Sequence, residues 1–291
     1  MILVDLNQVM ISNLMQQVNS ASNGLGGPGI ETDLIRHMVF NSIRMYKSKF
    51  GKKYGDIIIC CDDKNYWRKQ TFPHYKANRK KFREESDYDW NLIFESLNEI
   101  REDIRQHSPY KVIQVETAEA DDIIGAICKH VDDEQPLGAE SILILSGDKD
   151  FQQLQQFHNV EQYSPIMKKF IKCVRPFEYL AEHTAKGDRG DGVPNILSPD
   201  SVFVDGQRQK PLTKKRLAEF IKSGVDACQT DEEKQHWQRN NLMVNLTLTP
   251  DNIVSQIIEQ FKSEPKGSKR KLLDLFIAKK MKHMIELVEE F

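Results

Sequence analysis

Residues 145–154 read LSGDKDFQQL, and Ile142, Leu143 and Ile144 lead into them. So short an apolar run, bounded by turn residues, predicts a strand buried on both faces. Asp148 and Asp150 then stand at its carboxyl end. One Asp there is a favoured helix N-cap. Two raise a second reading, because open α/β sheets bind ligands outside the carboxyl ends of their strands.

The same pattern recurs. Ile2–Val4 reads as a strand ending at Asp5. Residues 56–61 (DIIICC) read as a second strand, followed by Asp62, and residues 110–115 as a third. Between them, residues 33–50 and 89–106 carry apolar side chains at helical spacing, with Trp90, Ile93, Phe94, Leu97, Ile100 and Ile104 facing inward on the second. Residues 119–131 predict a helix that opens with Glu119, Asp121 and Asp122. Residues 19–30 (NSASNGLGGPGI) read as a loop, and residues 170–174 as a candidate edge strand. Alternating strands and helices define an α/β fold with a mainly parallel, twisted sheet flanked by helices. Past Pro176 only helices are predicted, over 176–186, 212–222, 231–244, 250–262 and 267–290. The expected division is an α/β domain over 1–175 and a smaller helical domain over 176–291.

Placed on this fold, the acids fall into a set. Asp5, Asp62, Glu119, Asp121, Asp122, Asp148 and Asp150 share the carboxyl edge of the sheet. Asp188 and Asp191, in the Gly-rich stretch AKGDRGDGVPNI (185–196), are within reach from the helical part. Any one of them has a structural use, as a cap or a turn former. Nine together repel one another and need cations when ionised. The set contains no His or Cys. Oxygen-only ligation selects hard ions, Mg²⁺ or Mn²⁺. Nine acids suit two such ions, and two ions ~3.5–4 Å apart clamp the attacking and leaving oxygens of an in-line phosphoryl displacement.

Residues 64–83 (KNYWRKQTFPHYKANRKKFR) hold eight Lys or Arg, no acid, and interleaved Tyr66, Trp67, Phe72, Tyr75 and Phe82. Basic residues mixed with aromatics track phosphates and stack bases. Arg68, Lys69 and Lys80 are therefore candidate nucleic-acid contacts. A second run, Arg208, Lys210, Lys214, Lys215 and Arg216, lies in the helical part. The formal net charge of −2 does not speak against a nucleic-acid partner, since taking the nine site acids out of it leaves +7. Charged residues make up 29% of the chain and no apolar run approaches the ~18 residues of a membrane span. Met1–Asp5 lacks the basic start of a signal peptide. The five cysteines form no CxxC pair and read as reduced thiols. A cytoplasmic monomer is the expectation.

In this order, Asp5, Asp62, EADD (119–122), GDKD (147–150) and GDRGD (187–191), together with YWRKQTFPHYKANRKKFREES (66–86), resemble the structure-specific 5′ nucleases. That family contains flap endonucleases, and the chain is most similar to its phage ribonuclease H branch, with motifs in register over residues 1–195. The resemblance implies a PIN-like nuclease domain acting as 5′→3′ exonuclease, flap endonuclease and ribonuclease H, which removes RNA primers and 5′ flaps in replication. It implies Asp5, Asp62, Glu119, Asp121, Asp122 and Asp148 around a first Mg²⁺, and Asp150, Asp188 and Asp191 around a second. Lys76 and Arg79 would steer the scissile phosphate, and Tyr75 would stack on a base of the 5′ strand. The implied partners are branched DNA and RNA/DNA duplex with a 5′ single-stranded end, and a host-cytoplasm setting if the chain is phage-encoded.

Three positions depart from the family pattern. Leu6 and Gly192 replace a usual Gly and Asn, and ILSPDSVFVDGQRQKPLTKK (196–215) stands where a Gly-x-Gly hairpin is common. Lys210, Lys214 and Lys215 are expected to supply the duplex contacts the hairpin would have made.

Two rival readings use the same residues. A haloacid-dehalogenase-type phosphatase would use Asp5 as nucleophile, but its general acid is missing where Leu6 and Asn7 stand. A catalytically silent junction binder would gain nothing from so many carboxylates beside phosphates. Outside the set, the eight His show no metal spacing, and Trp90 and Trp237 are expected in helical cores. The tail ELVEEF (286–291) reads either as a frayed end or as a docking segment for a sliding clamp or single-strand-binding protein.

Overall fold

The computed structural model describes residues 1–22, 31–79, 83, 85, 86, 88–135 and 140–291, with side chains in the first stretch to residue 17. Lys80, Phe82 and most of the loop expected over 19–30 lie outside the described residues. Three apolar runs form the centre of the sheet: β1 (Ile2–Asp5), β2 (Ile57–Cys60) and β4 (Ile142–Leu145). Every residue of β1, β2 and β4 is buried, as a parallel strand covered on both faces requires. With β3 (Lys111–Ile113), β5 (Val160–Ser164) and β6 (Lys169–Ile171) they form one sheet in the order β3-β2-β1-β4-β5-β6. All pairings are parallel except β5 with β6.

The chain winds outward from β1 in both directions, so the topological switch point falls between β1 and β4. Register aligns the strand ends: Asp5 lies opposite Cys60, and Val4 opposite Leu145. The residues just past those ends therefore converge on one crevice.

Alternate strand residues feed two cores. On one face Ile2, Val4, Ile57, Ile59, Leu143 and Leu145 pack under α1 (Leu6–Ser22), α2 (Thr32–Tyr54) and α4 (Trp90–His107). On the other, Leu3, Ile58, Cys60, Ile142 and Ile144 pack under α3 (Trp67–Thr71) and α5 (Ala120–Glu134). Then follow α6 (Pro176–Lys186), α7 (Lys214–Ser223), α8 (Asp231–Val244), α9 (Asp251–Lys262), α10 (Lys269–Ala278) and α11 (Lys282–Glu286). These helices do not stand apart from the sheet. Ile253 and Ile257 of α9 join the second core, and Leu272 and Phe276 of α10 join the first. Among the described residues, only α6 to α8 enclose a small core of their own, Ala185, Ile196 and Phe220, with Trp237 stacked on Phe220.

The structure departs from the sequence reading in several places. Helix α1 starts one residue after β1, and Asp5 closes its first turn by accepting from Gln8 N at 3.0 Å. Phe94 is 42% exposed rather than buried inward. The single helix expected over 267–290 breaks at Lys280, whose positive φ of 55° ends α10, while Met281 N donates to Phe276 O at 2.8 Å. That is a left-handed helix stop made without glycine. The tail does not fray: Phe291 is buried against Phe40 and Phe276. Among the described residues no helix is long and apolar enough to cross a membrane.

Candidate metal centre and its basic rim

Four carboxylates form the floor of the crevice. Asp5 ends β1 and accepts from Gln8 N and from Ser146 Oγ at 3.2 Å. Asp62, two residues past β2, accepts from Asn7 Nδ2 at 2.5 Å and Ala120 N at 2.7 Å. Asp121 stands in the first turn of α5. Asp148 caps the 3-10 turn that follows β4, accepting from Asp150 N at 3.0 Å.

Their charges are incompatible without a counter-ion. Burial, Asp62 and Asp148 push Asp5 up to about 7. Burial raises Asp62, and Glu119 adds to it against the pull of Lys76. Burial, then Asp148 and Asp5, holds Asp121 well above the carboxylate range, and burial with Asp150 raises Asp148.

Beside this floor lies a second group. Asp150, Asp188 and His183 bring one oxygen or nitrogen each within 4.8 Å of one another. Asp188 is held in a tight turn where Val193 N donates to Asp188 O at 2.7 Å. Gly187 begins that turn at φ 66°, and a Cβ there would meet Val193 O and Pro194 O at 2.4 Å, so no other residue fits. A void of about 10 Å³ is lined by Asp121, Asp150, Asp188 and Asp191, but equally by Arg68, Tyr75 and the apolar Val193, Met243, Val244 and Leu246. Carboxylates as crowded and buried as those of Asp5, Asp62, Asp121 and Asp148 fit hard divalent cations. The donor set therefore passes the test for Mg²⁺ or Mn²⁺ on chemistry.

The basic segment is folded into the acids. Lys76 pairs with Glu119 and lies 3.6 Å from Asp191, and Arg79 pairs with Asp191 at 2.7 Å. Burial alone would raise Asp191, but Lys76 and Arg79 outweigh it and hold that carboxyl below the usual range. The segment's backbone is tied to the acidic turn as well, through Lys76 N to Asp191 O at 2.7 Å. Lys76 has a positive φ of 55°.

Three sequence assignments are corrected here. Arg68 is 1% exposed and does not reach solvent. It donates to Glu119 Oε2 at 3.0 Å, Asp122 Oδ2 at 2.9 Å and Met243 O at 2.8 Å. A cation among aromatics predicts a phosphate contact, and in the fold Arg68 is instead the partner of two buried acids. Asp122 is fully buried and already engaged: its Oδ2 accepts from Arg68 Nη1, Trp67 Nε1 and the backbone N of Glu119, and its Oδ1 from Thr249 Oγ1, so its charge is matched by Arg68. Tyr75 is buried, its hydroxyl 2.9 Å from both Glu119 and Asp191 with one proton to donate to either, so its ring has no face open to a base. Glu119 lies at the edge of the crevice, engaged by Arg68, Tyr75 and Lys76.

Lys69, Lys210, Lys214 and Lys215 are exposed. Lys210 lines a cavity of about 960 Å³ with Arg189, Arg208 and Asn195. Arg216 does not belong with them, because it pairs with Glu219 on its own helix and ties α7 to α8 through Glu233, at 2.8 Å each.

His183 is the residue that the sequence reading missed. It precedes Asp188 by five positions and meets Asp150 only across the fold, so no local spacing marks it. Gln8, Asn7 and Ser146, which orient the floor acids, were also passed over.

The crevice is that of an α/β protein with carboxylates gathered beyond the ends of its parallel strands. Residues 1–182 match the profile of the 5′–3′ exonuclease N-terminal resolvase-like domain, and residues 179–291 that of the T4 RNase H C-terminal domain. The chain belongs to the 5′–3′ exonuclease family. It is 30% identical to the ribonuclease H of Enterobacteria phage T4, over 99% of this chain and 95% of that one. An exodeoxyribonuclease of Enterobacteria phage T3 is 26% identical over 67% of this chain and 61% of that one. The fold matches a bacteriophage T5 D15 flap endonuclease, solved as a pseudo-enzyme-product complex with DNA and metal ions. That match has a TM-score of 0.59 and 15% identity, over 90% of this chain and 99% of that one.

Proposed function

We propose that the chain is a divalent-metal-dependent, structure-specific 5′ nuclease, hydrolysing phosphodiesters near a 5′ single-stranded end. The carrying observation is four mutually repelling carboxylates at the switch point of the sheet, with Lys76 and Arg79 held beside them through Glu119 and Asp191. Family membership and the phage ribonuclease H relative support the same reading. Branched DNA and RNA/DNA duplex are the proposed substrates, and removal of primers and 5′ flaps the proposed role.

Asp5, Asp62, Asp121 and Asp148 would hold one cation, and Asp150, Asp188 and Asp191 would serve a second. When bound, Mg²⁺ or Mn²⁺ supplies charge stabilisation to the attacking and leaving oxygens of an in-line displacement. The chain's own part is positional. Gln8 and Ser146 fix the Asp5 carboxylate, and Asn7 and the Ala120 backbone fix Asp62. Lys76 and Arg79, tethered to Glu119 and Asp191 in the free chain, supply positive charge where negative charge builds on the phosphate. Exposed Lys69, Lys210, Lys214 and Lys215 supply phosphate contacts to the duplex.

The test is a 5′-flap DNA labelled at either end, incubated with Mg²⁺ or with chelator. Mg²⁺-dependent cuts near the junction are expected. Binding without cutting, in Mg²⁺ and Mn²⁺ alike, would instead support a junction-binding protein.

A further inference from the structure

The second acidic group contains a nitrogen that oxygen-only ligation does not account for. His183 lies in the last turn of α6 and is 7% exposed. Its Nε2 is 3.1 Å from Asp150 Oδ1 and 3.6 Å from Asp188 Oδ2. The first contact lacks the alignment of a hydrogen bond, and both His183 Nε2 and Asp150 Oδ1 are buried without a hydrogen-bond partner. A buried polar atom left unsatisfied is costly, and here two lie 3.1 Å apart.

A cation between them would satisfy both. Donors ~2.1 Å from an octahedral ion stand roughly 3 Å apart, as these do. The imidazole is also held in plane: Tyr179 stacks on it at 16°, with ring centroids 6.0 Å apart, and the Tyr179 hydroxyl donates to Lys149 O at 2.9 Å. Such outer contacts are what orient a ligating His. Lys149 Nζ now sits 2.8 Å from Asp188 Oδ2. Its side chain is half exposed and free to leave when an ion arrives.

We propose that His183, with Asp150 and Asp188, holds the second cation through an imidazole nitrogen, and that this centre takes Mn²⁺ in preference to Mg²⁺. The inference rests on the reading of the crevice as a cation centre. Carboxylate and water suit Mg²⁺, whereas imidazole draws a site toward transition metals. The competing role for His183 is a protonated counter-ion to the two acids, and the two roles differ in sign. Losing a ligand weakens cation binding; losing a competing positive charge strengthens it.

The experiment uses Mn²⁺ as the probe on the full chain. Calorimetry counts the ions, and pulsed electron paramagnetic resonance reads ¹⁴N coupling to them. Two Mn²⁺ with one showing ¹⁴N coupling is expected. In His183→Leu the coupling disappears and the second site's Mn²⁺ affinity falls by about tenfold or more, with a smaller change for Mg²⁺. The coupling is measured on the native chain, so it stands even where the variant folds poorly. Two bound Mn²⁺ without ¹⁴N coupling, or a variant that binds Mn²⁺ more tightly, would overturn the proposal alone. Absence of any Mn²⁺ binding would overturn the cation centre and this proposal with it.

Discussion

Replacing Asp5 by Asn should make the metal-free protein more stable while removing its activity. Burial, Asp62 and Asp148 raise Asp5 from 3.8 to about 7, so the folded chain holds this proton over a range in which the unfolded chain has lost it. Stability therefore falls as pH rises from about 4 to about 7 and is level above that. A gap of about three pKa units, at ~1.4 kcal/mol each, places the penalty near 4 kcal/mol at pH 8. At pH 5 only about 2 kcal/mol of it has built up. The Asn amide keeps the shape and can still accept from Gln8 N, with its NH₂ turned toward Ser146 Oγ. Urea unfolding in chelator should thus show Asp5→Asn more stable than the native chain by ~4 kcal/mol at pH 8 and by roughly half that at pH 5. Saturating Mg²⁺ should stabilise the native chain and close the gap at pH 8. No gain at pH 8, or an equal gain at both pH values, would refute the claim that Asp5 is held among like charges.

Asp148→Asn should abolish flap cleavage and leave chelator-resistant DNA binding intact, measured by fluorescence anisotropy; weakened binding without metal would count against its place on the floor. Lys76→Ala should lower single-turnover cleavage far more than affinity, because its charge acts where charge develops on the phosphate. Equal losses in both would reduce Lys76 to a binding residue. Arg68→Ala should cost about 3–5 kcal/mol in urea unfolding, since Glu119 and Asp122 would be left buried and unpaired. A variant of normal stability and weak DNA binding would restore Arg68 as a phosphate contact. Changing Lys210, Lys214 and Lys215 together to Ala should flatten the salt dependence of duplex binding by about one unit of slope per lysine engaged. An unchanged slope would remove them from the duplex contact.

The parts of the fold that could be read in advance are those where one physical signal dominates. Fully buried parallel strands have to be apolar throughout, and Ile2–Val4, Ile57–Cys60 and Ile142–Leu145 meet that demand with an acid soon after each. Helix α1 has its buried Leu6, Val9, Met10 and Leu14 at helical spacing, yet it begins directly from a strand with no loop to announce it. Strand β5 places Gln162 and Ser164 in buried positions, so its composition hides its state. At the site, chemistry was legible and direction was not. Asp121 and Asp122 are neighbours in sequence on one helical turn, but one lines the crevice and the other turns to Arg68. Arg68 and Tyr75 carry the composition of a nucleic-acid surface and spend it on buried acids. His183 shows the converse, a residue whose partners are assembled only when α6 packs against the turn after β4.

The central claim is that the carboxyl edge of this sheet is a two-cation centre. Its most direct test is anomalous diffraction from crystals of the full chain equilibrated with Mn²⁺. One peak is expected among Asp5, Asp62, Asp121 and Asp148 and a second against Asp150 and Asp188, ~3.5–4 Å from the first if both clamp one phosphate. Peaks elsewhere, with the four floor carboxylates left bare, would contradict it.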